Sequence, residues 1–273
     1  MANQLAKNKE IVRRRADSFL SRPEYAGVRA ILAEISAVAP TAIFGGFPRD
    51  LARYGVDGFN SDLDLVVDCQ SITSILDRLG PVHFTNTGMG GIRICGHRLQ
   101  IDLWTLQDTW AIKNGIVEAN HLADLIHTTF FDCDAIIYQL DTREIVCSER
   151  YFSSLSSDVI DISVEINPNP LSMTIRTLRF LKRRRLKISA RLAGYLLRRL
   201  EELGNESICA AEYRKYDDHC LDPLWVKAVE SDLRLHRTKF PLRPYGVYNN
   251  RRALTDLGSQ RLSDFQRHTE TVV

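Results

Sequence analysis

The chain has no run of about 18 apolar residues and no charged-then-apolar leader, so neither a helical membrane span nor a secretory signal is expected. It has no Cys-x-x-Cys pair. Its six cysteines (Cys69, Cys95, Cys133, Cys147, Cys209 and Cys220) are scattered and show no zinc spacing with histidine. They are expected as reduced core residues of a cytoplasmic protein. His121 and His127 are six apart, the wrong interval for one helix face, and suggest no metal site. Internal repeats and low-complexity tracts are absent too. What remains is a chain of 273 residues, 44% of them hydrophobic, enough for one large domain or two small ones.

Net charge is also small, at +2, but it hides an asymmetry. Residues 1–170 carry 15 Lys+Arg against 22 Asp+Glu, a net −7; residues 171–273 carry 21 against 12, a net +9. An acidic half beside a basic half suits a protein that handles polyanions, although a basic face can be no more than a solvated one.

The most informative stretch lies between residues 41 and 68. A short apolar run, Thr41 to Phe44, stops at Gly45-Gly46. Pro48 suits the first position of a helix, and the turn after it closes on Gly55, a plausible residue just past the helix end. Strand, glycine pair and helix start together can hold phosphate: glycine lets it approach the backbone, and the first N–H groups of the helix point at its charge. Asp62 and Asp64 then sit two apart in an alternating, β-branched stretch, so a strand would send both carboxylates from one face. Their repulsion is relieved by a divalent cation, and oxygen ligands of this kind suit Mg²⁺. A lone Gly-Gly is usually a turn and a lone Asp-x-Asp a solvated strand face. Their order and spacing here favour the functional reading.

Gly45-Gly46-Phe47-Pro48-Arg49-Asp50 followed by Asp62-Leu63-Asp64-Leu65 resembles the head signature of the tRNA nucleotidyltransferase/poly(A) polymerase family, within the DNA polymerase β-like nucleotidyltransferase superfamily. The family pattern is Gly-Gly-x-Val-Arg-Asp, a leucine-rich turn, then Asp-x-Asp-Leu; Pro48 replaces the usual Val. The resemblance implies an α+β fold: a small mixed sheet with helices on one side, then an α-helical C-terminal domain. It implies transfer of a nucleoside monophosphate from an NTP to a hydroxyl, with two Mg²⁺ ions on Asp62 and Asp64. Gly45 and Gly46 would admit the triphosphate, Arg49 would meet its charge, and Asp50 would brace the loop.

Along the rest of the chain, helices are expected over residues 4–21 and 25–38, the second with a stripe of Val28, Ile31, Leu32, Ile35 and Val38. Another starts at Ser71 as N-cap and runs to about residue 79. A β-hairpin is read over residues 87–106 with its reversal at Gly96-His97. Its second strand places Asp102 between apolar neighbours, where a carboxylate must be paired, protonated or bound to metal. In polymerase β-like proteins a third carboxylate sits on a neighbouring strand, and Asp102 occupies the matching place; a salt-bridged structural Asp is the alternative. A helix is expected near residues 118–126 and a strand near 160–166. Residues 127–138 resemble the family's Arg-Asp-Phe-Thr-Ile-Asn-Ala-Leu motif, but Thr129 and Phe130 stand where the family has the Arg-Asp that positions nucleotide, and Asp134 where it has Asn.

The boundary between a head (1–167) and a basic helical neck with a tail (168–273) is placed near Pro168 and Pro170. Residues 173–182 resemble the family's neck-entry helix, on which Arg176 and Arg179 share a face and would reach triphosphate oxygens. The region 189–232 is expected to be helical, with Leu192, Leu196, Leu197 and Leu200 as its stripe, and residues 240–273 form a polar, Arg-rich tail. No copy of the family's base-reading Glu-Arg motif is evident. The expected acceptor is an RNA 3′ end, tRNA among the candidates. The chain is too short for the full set of body and tail domains that grip tRNA, so the setting expected is toxin or phage defence rather than housekeeping CCA addition. A nucleotidyltransferase acting on a small molecule or protein, and a catalytically inactive nucleotide- or RNA-binding module, stay open.

Overall fold

A computed structural model describes residues 5–88, 90–95, 98–239 and 242–247. The chain divides into two compact units: one formed by the residues up to Ser157 with Ile162–Pro168, the other by Asp158–Asp161 and the residues from Asn169 onward.

The first unit is built on a mixed sheet of seven strands, in the order β3-β4-β5-β2-β1-β6-β7. These are β1 (Thr41–Phe44), β2 (Leu63–Val67), β3 (Phe84–Asn86), β4 (Ile92–Ile94), β5 (Ile101–Thr105), β6 (Ile136–Gln139) and β7 (Ile145–Cys147). β2 and β5 run parallel, and every other neighbouring pair is antiparallel. Side chains alternate across the sheet. Ile43, Leu65, Leu103 and Tyr138 join the main core with α1 (Lys9–Leu20), α2 (Ala26–Ser36), α3 (Gly46–Tyr54), α4 (Thr73–Leu79) and α6 (Tyr151–Ser157). Ala42, Val66 and Ile137 face the other way, into a smaller cluster with Leu106, Leu122 and Leu125. The short helix α5 (Trp110–Lys113) contributes Ile112 to that cluster.

Local chemistry sets the ends of these elements. α1 starts at Lys9, later than the sequence suggested, because the Asn8 side chain caps it by accepting from the Ile11 N–H. The stripe on α2 is buried as expected at Val28, Ile31, Leu32 and Ile35. Ser71 is not the N-cap of α4; Ile72 is, and the Ser71 hydroxyl instead accepts from Thr73 N–H in a local turn. The helix expected at 118–126 is a 3₁₀ segment, Leu122–His127. The Asp124 carboxylate accepts from the N–H groups of Asn120 and His121, which tightens the entry to that segment. The β4–β5 hairpin forms, with Met89 and the reversal at Gly96-His97 lying outside the described residues.

The second unit is helical: α7 (Pro170–Arg183), α8 (Ala190–Leu203), α9 (Asn205–Tyr216) and α10 (Pro223–Lys239). Asn169 caps α7 and Ser189 caps α8, and Pro170 takes the first helical position, where it has no N–H to lose. Leu192, Leu196, Leu197 and Leu200 are buried as the stripe required. Where one strand was expected over residues 160–166, the chain forms only β8 (Val159–Ile160), paired in parallel with β9 (Lys187–Ile188), and in the first unit a single bridge from Ile162 to Phe131. The expected tail lies outside the described residues from residue 248 on. Among the described residues no helix is long and apolar enough to cross a membrane, and all six cysteines are free thiols.

Candidate active site

The glycine turn is shaped by the ends of two elements. Gly45 sits at φ 64°, the left-handed region, with open space where a side chain would be. Its N–H donates to Ile136 O at the end of the β1–β6 ladder, while its carbonyl accepts from Arg49 N–H in the first turn of α3. α3 therefore begins at Gly46, and Pro48 is its third residue rather than its first. The geometry tolerates this because the N–H of a third helical residue has no intrahelical partner either. Phe47 is fully buried against Phe19 and Phe59, edge to face at 5.4 and 5.3 Å, which fixes the direction of the helix start. Gly55, at φ 74°, closes the helix as expected.

Arg49 and Asp50 form the brace under this turn. Arg49 donates from Nε to Asp50 (2.9 Å), from Nη1 to Asp134 (2.6 Å) and from Nη2 to the Ser61 hydroxyl (3.0 Å). Ser61 in turn donates to the second oxygen of Asp50 at 2.6 Å. The Arg49 guanidinium, desolvated yet held between Asp134 and Asp50, stays firmly protonated. Arg49, expected to meet phosphate, has its guanidinium engaged here by two carboxylates and a hydroxyl within the fold. Asp134 is the compensating anion. Ser61 had no local sequence signal that would have singled it out, and Asp134 showed only as an acid in place of an amide, with nothing to name Arg49 as its partner.

The carboxylates lie on the sheet face opposite the main helices. Register sets Asp64 beside Asp102 on the parallel strands β2 and β5, and Asp62 precedes β2 by one residue. Val66 and Trp104, two residues further along the same strands, join the small cluster on that face, so the apolar cover begins just beyond the acids. Asp62 is exposed and Asp64 half-buried. Burial pushes the Asp64 carboxyl up to about 7, and the charges of Asp102, Asp62 and Asp134 push in the same direction while Arg49 pulls it back. Desolvation and the charge of Asp102 also raise Asp62, opposed by Arg93.

Two polar partners come from β4 and from the residue before β5. Gln100 Nε2 donates to Asp62 at 2.9 Å. Arg93, directly across the β4–β5 ladder from Asp102, grips it with two parallel bonds: Nε to Oδ1 and Nη2 to Oδ2, both 2.8 Å. Asp102 is thus paired, one of the states its position allowed. Among the described residues no three or more His, Cys, Asp or Glu side chains form a ready-made metal cage. Asp62 and Asp64 nevertheless suit a hard divalent cation: they are neighbouring oxygen donors, and each carboxyl is raised first by desolvation and then by the charge of Asp102, a repulsion that such an ion would relieve.

Thr129 and Phe130 are buried, and their carbonyls accept from Val164 and Ser163 N–H groups of the returning segment at 3.0 and 2.7 Å.

Arg176 and Arg179 lie in the second unit and behave differently from each other. Arg179 pairs with the fully buried Glu212 and with Asp218 (3.1 Å), and stacks over Tyr216 at 4.2 Å. Arg183 also pairs with Asp218, and Lys182 with Asp222 at 3.0 Å. Arg176 lies over its neighbour Phe180, 5.8 Å from the ring. Much of the positive charge on α7 is therefore balanced inside its own unit by acids from α9 and the loop after it.

No protein-family model matches the chain, and no curated protein does. Solved structures do. A CCA-adding enzyme in complex with CTP aligns with a TM-score of 0.56 at 19% identity, covering 85% of this chain and 56% of that one. The Thermotoga maritima CCA-adding enzyme complexed with tRNA aligns at 0.55 and 17%, covering 85% and 57%. A tRNA nucleotidyltransferase complexed with a primer tRNA and an ATP analogue aligns at 0.51 and 18%, covering 76% and 61%. The chain spans little more than half the length of these proteins. It shares its fold with these CCA-adding enzymes and this tRNA nucleotidyltransferase.

Proposed function

We propose that this chain is a divalent-cation-dependent nucleotidyltransferase that moves a nucleoside monophosphate from an NTP to the 3′ hydroxyl of an RNA, with tRNA the leading candidate acceptor. The observation that carries this reading is the pairing of Asp64 with Asp102 on adjacent parallel strands, with Asp62 one step before them and the Gly45-Gly46 turn on the neighbouring strand β1. The tRNA assignment leans on the structural neighbours, which include complexes with CTP and with tRNA.

In this reading Asp62 and Asp64 would hold the cation, with Asp102 as the third carboxylate ligand. When bound, it would neutralise charge on the phosphates and lower the pKa of the acceptor hydroxyl. The hydroxyl oxygen attacks the α-phosphorus, the bond from that phosphorus to the bridging oxygen breaks, and pyrophosphate leaves. The proton passes to Asp102 or to water. Gly45 and Gly46 let the triphosphate approach the backbone, and the first-turn N–H groups of Gly46 and Phe47 face its charge. Arg49 acts beneath, keeping the turn rigid through Asp50, Ser61 and Asp134.

Release of pyrophosphate from each NTP, in the presence of Mg²⁺ and a pool of small RNAs, tests this. Release that needs RNA and disappears in the Asp62→Ala, Asp64→Ala double variant supports it. Release without RNA, insensitive to salt, points to a small acceptor, because RNA binding weakens steeply as salt rises. NTP binding with no turnover points to an inactive module.

A further inference from the structure

Asp102 is the carboxylate that the metal reading needs and that the structure shows already taken. Both its oxygens accept from one guanidinium, in a fork whose planar geometry matches a carboxylate. Like charges within a few ångströms repel, so a divalent cation on Asp102 and the Arg93 guanidinium on the same two oxygens oppose each other. The Arg93 side chain is 43% exposed against 17% for Asp102, so the arginine is the partner free to move. The surroundings fit such an exchange. Asp62, Asp64 and Asp102 together carry more negative charge than Arg93 balances, while Arg49 is committed to Asp50 and Asp134. Gln100 similarly holds Asp62 through a neutral amide that a cation would displace at little cost.

We propose that Arg93 is a latch: an internal counter-ion that occupies Asp102 until a divalent cation takes its place, whereupon the guanidinium leaves. It is a positioning residue, acting through Asp102. The inference rests on the metal-binding reading of Asp62 and Asp64, and goes beyond it by assigning the cation a competitor within the chain. An ion pair whose arginine is largely open to solvent is a weak competitor, so Arg93 tunes the occupancy of the site and does not block it.

The test is Mn²⁺ binding to the full chain by calorimetry, without nucleotide or RNA, in wild type, Arg93→Gln, Asp102→Asn and the double variant. Circular dichroism and thermal melts of the metal-free proteins confirm folding, and Arg93→Lys, which keeps a charge without the fork, gives an intermediate should Arg93→Gln fold poorly. Affinity is expected to rise about two- to fivefold in Arg93→Gln, the range that a solvent-screened ion pair can withhold. The gain should vanish when Asp102→Asn is added. Unchanged affinity in Arg93→Gln, or a loss, overturns the latch while leaving the metal site in place. Absence of Mn²⁺ binding in every variant removes the metal reading and the latch with it.

Discussion

Arg49 and Asp134, 85 residues apart in the sequence, meet in a 2.6 Å ion pair beside Asp64 and under the glycine turn. This contact ties the start of α3 to the strand-entry segment before β6. Arg49→Met removes the cation that bridges Asp50 and Asp134 in this brace. It is expected to cost about 3–5 kcal/mol. Asp134→Asn keeps the Asp50 and Ser61 contacts and is expected to cost about 1–2 kcal/mol. Urea denaturation of the two variants should rank them in that order.

The raised Asp64 carboxyl makes metal-free stability depend on pH in an unusual direction. An unfolded Asp titrates near about 4, whereas Asp64 in the fold titrates near about 7. Between those values the folded chain holds the extra proton, so this group favours folding most below about pH 4 and its contribution declines as pH rises through 7. The slope it adds is at most about 1.4 kcal/mol per pH unit. Thermal melts in EDTA from pH 5 to 8 should show that decline, and Asp64→Asn should flatten it. Asp134→Asn removes one of the repelling charges and should shift the decline to lower pH.

The two glycines should fail for different reasons. Gly45→Ala meets open space but places a side chain at φ 64°, a conformational cost of about 1–2 kcal/mol. Gly46→Ala puts a Cβ 3.0 Å from that of Ser61, whose hydroxyl holds Asp50 and receives Arg49. Displacing Ser61 should cost about 1–3 kcal/mol. A Ser61→Gly background should recover part of the Gly46→Ala loss and none of the Gly45→Ala loss, as read by chemical denaturation.

In the second unit, Glu212 is fully buried and accepts from Arg179 and from the Leu221 N–H. Glu212→Ala leaves Arg179 with Asp218 alone and strands a backbone donor, and is expected to destabilise by about 3–5 kcal/mol. If Arg179 were committed to an external phosphate instead, the substitution would leave the stability of the free protein almost unchanged.

Much of the site could be read from short-range pattern. Gly45-Gly46 and Asp62-x-Asp64 carry their meaning within a few residues, and the alternation around Asp102 marks a strand. What escaped were partners set by tertiary register. A two-residue reversal at Gly96-His97 would pair Arg93 with Gln100; the observed ladder pairs it with Asp102, and only that register reveals the fork. Asp134 likewise means little until folding brings Arg49 to it. The charges on α7 read as a free basic face because Glu212, Asp218 and Asp222, their acidic partners, lie more than 30 positions further on. The helix expected at 118–126 failed because local capping by Asp124 favours a short 3₁₀ segment.

The most direct test of the central claim is to incubate the purified chain with each α-³²P-labelled NTP, Mg²⁺ and total cellular RNA, and to resolve the products on a denaturing gel. The account predicts label in RNA of tRNA size with the wild type, and none with the Asp62→Ala, Asp64→Ala double variant. Label that enters RNA equally with the double variant, or no transfer of label by a folded wild type that still binds NTP, would contradict it.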